Sequence, residues 1–398
     1  MKVRQQKLDL DMAYVQNEKG RGGAEVAKVR LGDVATYING YAFKPSDWVA
    51  TNIQGRPIIR IQDLTGNGYQ QNYYEGLLPE KFAVVAGDIL ISWSASLGVY
   101  EWDGPEAWLN QHIFKVVFDK GEVDRRYFIH QIRVLLDRAK NEAHGCTMKH
   151  LTKPVFDALP FLMPSLAEQK QIAAKLDAIC AIVAKREEQL KKLDQLVKSR
   201  FVEMFGSGRY DGVPLSEVTT KITDGTHKTP TYLDDGVVFI SAKNIVDGRI
   251  DFKDVKHISQ SEYDEIQRRC NLERGDLLLT KSGSLGTVAM VETDEKLGLF
   301  ESLAVIKYRR DLVEGKYLSS AIMSPGVQRQ FSSGTKGVAI KHLHLNVISK
   351  IEVPLPPLAL QREFAAFVAE VDKSKFAVRK SLESYQKLYR QQLQEAFG

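Results

Sequence analysis

The chain has 398 residues, of which 43% are hydrophobic and 26% are charged. These proportions are typical of globular proteins, and the length allows two or three domains. The sequence has no run of about 18 apolar residues and no apolar signal-peptide core at its start, so we expect no membrane span and a cytoplasmic protein. Three scattered cysteines predict neither a disulfide framework nor a metal site. The net charge of +5 permits a nucleic-acid partner without requiring one.

The first part of the chain predicts a short N-terminal segment followed by a compact domain. Residues 1–28 form a separate segment, because the match between the two halves begins at Val29. Short β-type runs then occur between turn residues, as at Ile58–Ile61 and Ile89–Ser92. We therefore predict an α+β domain over residues 29–158.

A long helix is predicted next, over residues 159–206. Ser165 and Glu168 form a capping-box pattern at its start, and Gly206 is placed to end it in the left-handed conformation. Apolar residues follow alternating steps of four and three, which is the pattern of a coiled-coil seam. The seam residues are Ile172, Leu176, Ile179, Val183, Leu190, Leu193 and Val197.

The second half of the chain repeats this order. A second α+β domain is predicted over 207–352, with strands at Phe239–Ala242 and Leu277–Thr280, followed by a second helix over 353–398. Gln169–Gly206 aligns without a gap with Gln361–Gly398. The second seam contains Phe364, Val368, Val371, Leu382, Tyr385 and Tyr389. Because each narrow apolar stripe needs a partner, we expect the two helices to pack against each other.

The two globular halves are also related, but more loosely than the helices. Val29–Gly40 matches Val213–Asp224, and Gly87–Gly98 matches Gly275–Gly286. In a duplicated protein, the similar parts share one task and the divergent parts carry different tasks. We therefore predict a common scaffold with two different recognition domains.

Several motifs occur together in this doubled layout. Pro-Ser-Leu-Ala-Glu-Gln at Pro164–Gln169 and Pro-Pro-Leu-Ala-Leu-Gln at Pro356–Gln361 lead into the helices. Gly-Asp-(Ile/Leu)-Leu-(Ile/Leu) followed by Ser-x-Ser-Leu-Gly occurs in both domains, and the second domain contains the polar stretch Ile222–Pro230. In combination these features resemble the specificity subunit of type I restriction–modification enzymes.

This resemblance implies a fold, a function and partners. Each globular half would be a target-recognition domain that reads one half of a split double-stranded DNA site. The two helices would form an antiparallel coiled-coil spacer with pseudo-twofold symmetry. Two methyltransferase subunits, and restriction subunits in the full complex, would assemble on a chain that catalyses nothing. Such a chain binds no cofactor, with S-adenosylmethionine expected on the methyltransferase subunits and ATP and Mg on the motor subunits.

Two catalytic patterns remain as weaker alternatives. His342 and His344 could offer imidazoles to a metal, but no carboxylate or cysteine accompanies them at ligand spacing. Asp294–Lys296 has the order of residues found in some nucleases, although a charged turn explains it better. The alternatives to the specificity subunit are therefore a stand-alone DNA-modifying or DNA-cleaving enzyme, or a coiled-coil scaffold without a DNA role.

Polar and basic residues near predicted strand ends are the candidate DNA contacts, because cations bind phosphates and amides read base edges. Trp93 and Trp108 are equally compatible with core positions, and the turn at 226–228 with a solvated loop. In the first domain we expect contacts from Asn39, Tyr41, Lys44, Trp93, Ser94, Asn110, Gln111 and Lys149. In the second domain we expect contacts from Thr226, His227, Lys228, Lys243, Lys281, Ser282, Lys336 and Lys341.

Overall fold

The computed structural model describes residues 26–50, 55–66, 70–143, 152–206, 209–333 and 343–398. The chain divides into two compact units. The first unit comprises the residues up to Glu188 together with Arg379–Gly398, and the second comprises Gln189–Val378. Each unit therefore contains one globular domain, part of one long helix and the complementary part of the other. In the part of the chain that is described, no helix combines the length and apolar character needed to cross a membrane.

The first domain alternates short strands and helices, and a long helix follows it. Its helices are α1 (Ile61–Thr65), α2 (Arg125–Ala143), α3 (Lys153–Asp157) and the long α4 (Leu166–Phe205). Its strands are β1 (Ala27–Arg30), β2 (Thr36–Asn39), β3 (Arg56–Ile59), β4 (Tyr73–Tyr74), β5 (Ala83–Val84), β6 (Ile89–Ser92), β7 (Gly98–Glu101), β8 (Ala107–Leu109), β9 (Ile113–Val117) and β10 (Pro160–Met163).

The second domain has the same general order. Its helices are α5 (Leu215–Val218), α6 (Gln260–Cys270), α7 (Gly315–Ile322), α8 (Pro325–Ser333), α9 (Leu345–Ile348) and the long α10 (Leu358–Phe397). Its strands are β11 (Gly212–Pro214), β12 (Thr219–Asp224), β13 (Val237–Ile240), β14 (Ile245–Val246), β15 (Arg249–Ile250), β16 (Lys256–Ile258), β17 (Leu277–Thr280), β18 (Val288–Met290), β19 (Leu297–Leu299), β20 (Leu303–Tyr308) and β21 (Glu352–Pro354).

The sheets of the two domains correspond. An antiparallel sheet of order β2-β9-β6-β7 in the first domain matches β12-β20-β17-β18 in the second. The parallel pair β3/β8 matches β13/β19, and the antiparallel pair β1/β10 matches β11/β21. The α+β class and the internal repeat predicted from the sequence are therefore confirmed.

The predicted strands show where local sequence is sufficient. β6 and β17 have the predicted bounds, because their four residues are all buried hydrophobic or small side chains. β3 and β13 end earlier than predicted, since a capped turn follows each of them. Asp63 accepts a hydrogen bond from the Arg60 amide (2.8 Å), and Asn244 accepts one from the Ser241 amide (3.0 Å). These side chains start a helical turn where the hydrophobic run alone predicted more strand.

The ends of the long helices agree only in part with the predictions. The Glu168 carboxylate accepts from the Ser165 amide (3.0 Å), and the Ser165 hydroxyl accepts from the Glu168 amide (3.3 Å), which confirms the capping box. The left-handed stop at Gly206 is wrong, because this residue is not among those with positive φ. Its amide instead bonds to the Val202 carbonyl (2.8 Å), and an added Cβ would lie 2.5 Å from that oxygen. Close approach, rather than φ, therefore favours glycine here.

Within each unit the two long helices pack antiparallel. In the first unit the early part of α4 shares a core with the end of α10, through Leu176, Val183 and Tyr389. In the second unit the end of α4 shares a core with the beginning of α10, through Phe205 and Phe364, whose rings lie 5.6 Å apart. Packing along the outer parts of the predicted seams is therefore confirmed, and side chains of the globular domains complete it. Leu190 and Leu193 of the first predicted seam are half-buried and belong to neither core.

A buried glutamine joins each domain to the start of the helix that follows it. Gln169 is 2% exposed and Gln361 is fully buried. The Gln169 side chain accepts from the Asp124 amide (2.9 Å) and donates to the Pro164 carbonyl (2.9 Å). Gln361 makes the same bonds to the Glu314 amide (2.9 Å) and the Pro356 carbonyl (2.8 Å). These hydrogen bonds explain why the repeated Pro-x-Leu-x-x-Gln motif ends in glutamine.

Candidate nucleic-acid interface

Three chain segments meet at one end of the antiparallel sheet in each domain. In the first domain the Tyr41 amide donates to the Leu109 carbonyl (2.8 Å), and the Trp93 amide donates to the His112 carbonyl (3.3 Å). In the second domain the Thr226 amide donates to the Leu299 carbonyl (2.9 Å), and the Lys281 amide donates to the Ser302 carbonyl (2.7 Å). The same backbone frame therefore carries different side chains.

Glycine makes this convergence possible in both domains. A Cβ added to Gly40 would lie 2.1 Å from the Asn110 carbonyl oxygen, and one added to Gly225 would lie 2.1 Å from that of Leu299. No side chain fits such a contact. The strand that ends at Asn39 or Asp224 is therefore held directly against the neighbouring segment.

The first domain presents a neutral cluster, formed by Asn39, Trp93, Asn110, Gln111 and His112. The Trp93 indole Nε1 donates to Asn39 Oδ1 (3.2 Å), and the Trp93 ring stacks on Phe114 with centroids 5.7 Å apart. Asn110 Oδ1 accepts from the Gln111 amide (2.7 Å), and Gln111 Nε2 lies 3.3 Å from His112 Nε2. Amide side chains suit adenine edges, and the aromatic ring holds Asn39 in place.

The second domain presents a charged cluster at the same place, formed by Asp224, His227, Arg269, Lys281 and Glu301. Lys281 Nζ lies 2.6 Å from Asp224 Oδ2, and Arg269 Nη2 contacts Asp224 Oδ1. His227 lies between Asp224 (3.3 Å) and Glu301 (3.2 Å). Burial alone would raise the pKa of Asp224, but Lys281 and Arg269 lower it below its ordinary value, so the carboxylate stays ionised.

The two clusters occupy equivalent positions, which the strand registers establish. In the first domain, Asn39 and Ile91 both pair with Phe114. In the second domain, Asp224 and Leu279 both pair with Ala304 in the same way. Asn39 therefore corresponds to Asp224. The sequence match had set Gly40 against Asp224, and this is one residue out of register. The reason is an irregularity in β12 between Thr219 and Lys221, which absorbs one extra residue.

The remaining predicted residues differ in exposure. Lys44, Lys228 and Lys243 are exposed, and Lys243 pairs with Asp254 (3.1 Å). Tyr41, Thr226 and Ser282 are half-buried. Ser94 and Lys281 are buried, with 6% and 5% exposure. Lys149, Lys336 and Lys341 lie outside the described residues. DNA contact by each of these residues stays a prediction.

The structure also shows where the tryptophans and the Asp294–Lys296 segment lie. Trp108 is 1% exposed and belongs to the core, whereas Trp93 is only half-buried. Asp294 forms a surface ion pair with Arg274 (2.6 Å), and Lys296 donates to Gln260 (3.1 Å). Within the described ranges, no group of His, Cys, Asp and Glu is arranged to hold a metal ion.

Sequence reasoning missed four residues of the two clusters, which are His112, Asp224, Arg269 and Glu301. Arg269 is the one with a side chain that is both anchored and exposed. It lies at the end of α6, where a basic residue is ordinarily explained by the helix dipole. Between β4 and Gly87 the first domain has a 3₁₀ turn, Glu80–Phe82, and no α-helix equivalent to α6, so the internal repeat gave no signal for this position.

Known proteins match the chain in two parts that correspond to its two halves. The family model described as the type I restriction modification DNA specificity domain matches residues 24–193 and 210–384. The type I restriction enzyme EcoBI specificity subunit of Escherichia coli is 26% identical, over 89% of this chain and 80% of that protein. The MjaVIII specificity subunit of Methanocaldococcus jannaschii is 21% identical, over 90% of this chain and 89% of that protein.

A solved structure has the same fold. The S subunit of a type I restriction–modification system from M. genitalium superposes with a TM-score of 0.55 at 15% identity, covering 96% of this chain and 98% of that one. Both globular domains and most of both long helices lie within the two matches to the family model. The chain therefore belongs to the family of type I restriction–modification DNA specificity subunits.

Proposed function

We propose that this chain reads a bipartite DNA sequence and directs methyltransferase subunits to it without catalysing a reaction itself. The observation that carries this proposal is the pair of equivalent strand-end clusters, one neutral and one charged, on a single duplicated scaffold. Base edges are distinguished by their donor and acceptor patterns, so different side chains at equivalent positions select different bases. Two unlike half-sites are the expected target.

The neutral cluster and the charged cluster support different modes of recognition. Amide groups such as those of Asn39 and Gln111 pair with adenine edges, whereas guanidinium groups pair with guanine. Exposed lysines such as Lys44 and Lys228 suit phosphates, which position a protein on DNA but carry no sequence information. Each domain thus combines positioning residues with residues able to select bases.

The family membership of the chain supports a proposal for its partners. We expect two methyltransferase subunits to bind the scaffold, one for each half of the repeat, with restriction subunits joining in the full complex. S-adenosylmethionine would be held by the methyltransferase subunits, and ATP and Mg by the motor subunits. The alternative of a stand-alone enzyme has no specific observation in its favour.

One experiment separates the possible functions. The purified chain is incubated with a library of duplexes and S-adenosylmethionine, alone and together with its methyltransferase partner. We expect no methylation or cleavage by the chain alone, and methylation at a bipartite sequence when the partner is present.

Two outcomes would contradict the proposal. Methylation or cleavage by the chain alone would make it an enzyme. Failure of the complex to select any sequence would leave a scaffold without a DNA role.

A further inference from the structure

Arg269 is held in place at the edge of the charged cluster. Lys221 Nζ donates to the Arg269 carbonyl (2.6 Å), and the Cys270 thiol donates to the Asp224 carbonyl (3.0 Å), so the end of α6 is tied to β12. The Arg269 side chain remains 48% exposed. It is thus anchored at its base and accessible at its tip.

The guanidinium group is oriented by one of its nitrogens. Nη2 contacts the buried carboxylate of Asp224 and lies 3.1 Å from His227 Nε2. Among the described residues, Nε and Nη1 of Arg269 have no hydrogen-bond partner. Because the orientation is already fixed, a further acceptor binds with less loss of side-chain entropy.

The charges around Arg269 favour a neutral acceptor over a phosphate. Asp224 pairs with both Arg269 and Lys281, and Glu301 lies 3.2 Å from His227, so two carboxylates reduce the positive charge of the cluster. Compensated charge weakens attraction to phosphate, whose binding depends on net positive charge. The neighbouring carboxylates do not remove the N–H donors of Arg269. The O6 and N7 atoms of guanine are neutral acceptors, and arginine bound to these two atoms is the commonest specific contact between a side chain and a base.

We propose that Arg269 recognises a guanine in the half-site read by the second domain, with Asp224 and His227 as positioning residues. This inference rests on the proposed function and specifies its chemistry. The equivalent cluster of the first domain contains no arginine, so we expect this arginine–guanine contact in the half-site of the second domain alone. The adjacent Arg268 is also exposed and has no described side-chain partner, which makes it a matched control.

The test measures base preference rather than activity. The complex of the chain with its methyltransferase partner, without S-adenosylmethionine, selects from duplexes with randomised half-sites. We compare the wild type with Arg269→Lys, Arg269→Ala and His227→Ala, and with Arg268→Lys and Arg268→Ala. Because Arg269→Lys keeps the charge but loses the planar fork, it separates base contact from phosphate contact.

We expect both Arg269 variants to lose guanine preference at one position by about tenfold or more. His227→Ala should weaken the preference at the same position, and both Arg268 variants should select the wild-type sequence. The inference is overturned if the Arg269 variants select the wild-type sequence, or if they lose affinity equally for all sequences. If the wild type selects no sequence at all, the proposed function fails together with the inference.

Discussion

Two lysines of the second domain, both candidate DNA contacts, have different surroundings. Lys281 is buried against Asp224, whereas Lys228 is exposed. Breaking a buried ion pair lowers the stability of the fold, so Lys281 contributes to folding. Only Lys228 is free to meet a phosphate without rearrangement.

Replacement of these lysines should therefore have different effects. We expect Lys281→Met to lower the free energy of unfolding by about 3 kcal/mol, the low end of the range for a broken buried pair, because Arg269 still reaches Asp224. Lys228→Ala should leave stability unchanged and reduce the slope of log affinity against log salt by about 1. Thermal unfolding and salt titrations check both. The assignment is wrong if Lys281→Met changes only the salt slope.

His130 is a titratable residue in the core of the first unit. It is fully buried, with Nε2 2.8 Å from Asp177 and Nδ1 3.0 Å from the Tyr389 hydroxyl. A neutral ring protonated on Nε2 satisfies both contacts. Burial lowers the pKa of His130 below its ordinary value of 6.5, with Arg133 and Arg126 acting in the same direction against Asp177.

This shift predicts how stability depends on pH. The unfolded chain binds a proton at His130 as the pH falls through 6.5, and the folded chain resists it, so stability is present above that pH and lost below it. We expect the Tm of the wild type to fall between about pH 7.5 and about pH 5.5. His130→Gln should show a smaller fall, whereas His257→Gln, in the second unit, should behave like the wild type. An equal fall in all three proteins would exclude His130 as the cause.

At the scale of elements, one buried glutamine bridges each domain and the start of the long helix that follows it. Gln169 and Gln361 satisfy a backbone amide and a carbonyl on either side of the joint. A buried amide left without its partner costs more than an exposed hydrogen bond, because water cannot replace the missing group.

Removal of either glutamine should affect its own unit. We expect Gln169→Ala and Gln361→Ala each to lower the free energy of unfolding by about 1–3 kcal/mol. Gln391→Ala, at an exposed position of α10, should change it by less than about 0.5 kcal/mol. Denaturant unfolding of the three variants checks this. Similar losses in all three would mean that the joints are not special.

The elements also show what the sequence could and could not predict. The long helices follow from hydrophobic periodicity, the capping box of α4 from its Ser-x-x-Glu pattern, and the strands β6 and β17 from their short apolar runs. The charged cluster does not, because Asp224, Arg269 and Glu301 come together only through strand register and the position of α6. The irregularity in β12 was not predicted either, because two loosely similar segments can be aligned equally well with or without a shift of one residue.

At the scale of the whole molecule, the long helices are more alike than the domains. A shared scaffold with divergent domains suits a protein that keeps the geometry of its target constant while its sequence choice changes. On the proposed function, the helices would then set the spacing between the two half-sites.

A change in helix length tests this spacing. Four residues inserted after Arg186, near the point where α4 passes from one unit to the other, add about 6 Å along the helix axis and nearly preserve its phase. We expect the complex to prefer a spacer longer by roughly one or two base pairs, with unchanged half-site sequences. Methylation of duplexes with graded spacer lengths checks this. An assembled variant that keeps the original spacer would refute the role of the helices.

The most direct test of the account exchanges one domain. Residues 213–352 are replaced by the corresponding domain of a relative, and the methylated sequences are mapped in cells that also express the methyltransferase partner. The account predicts that one half-site changes to that of the relative, while the other half-site stays as in the wild type. A change in both half-sites, or in neither, would contradict the proposal that the two domains read DNA separately.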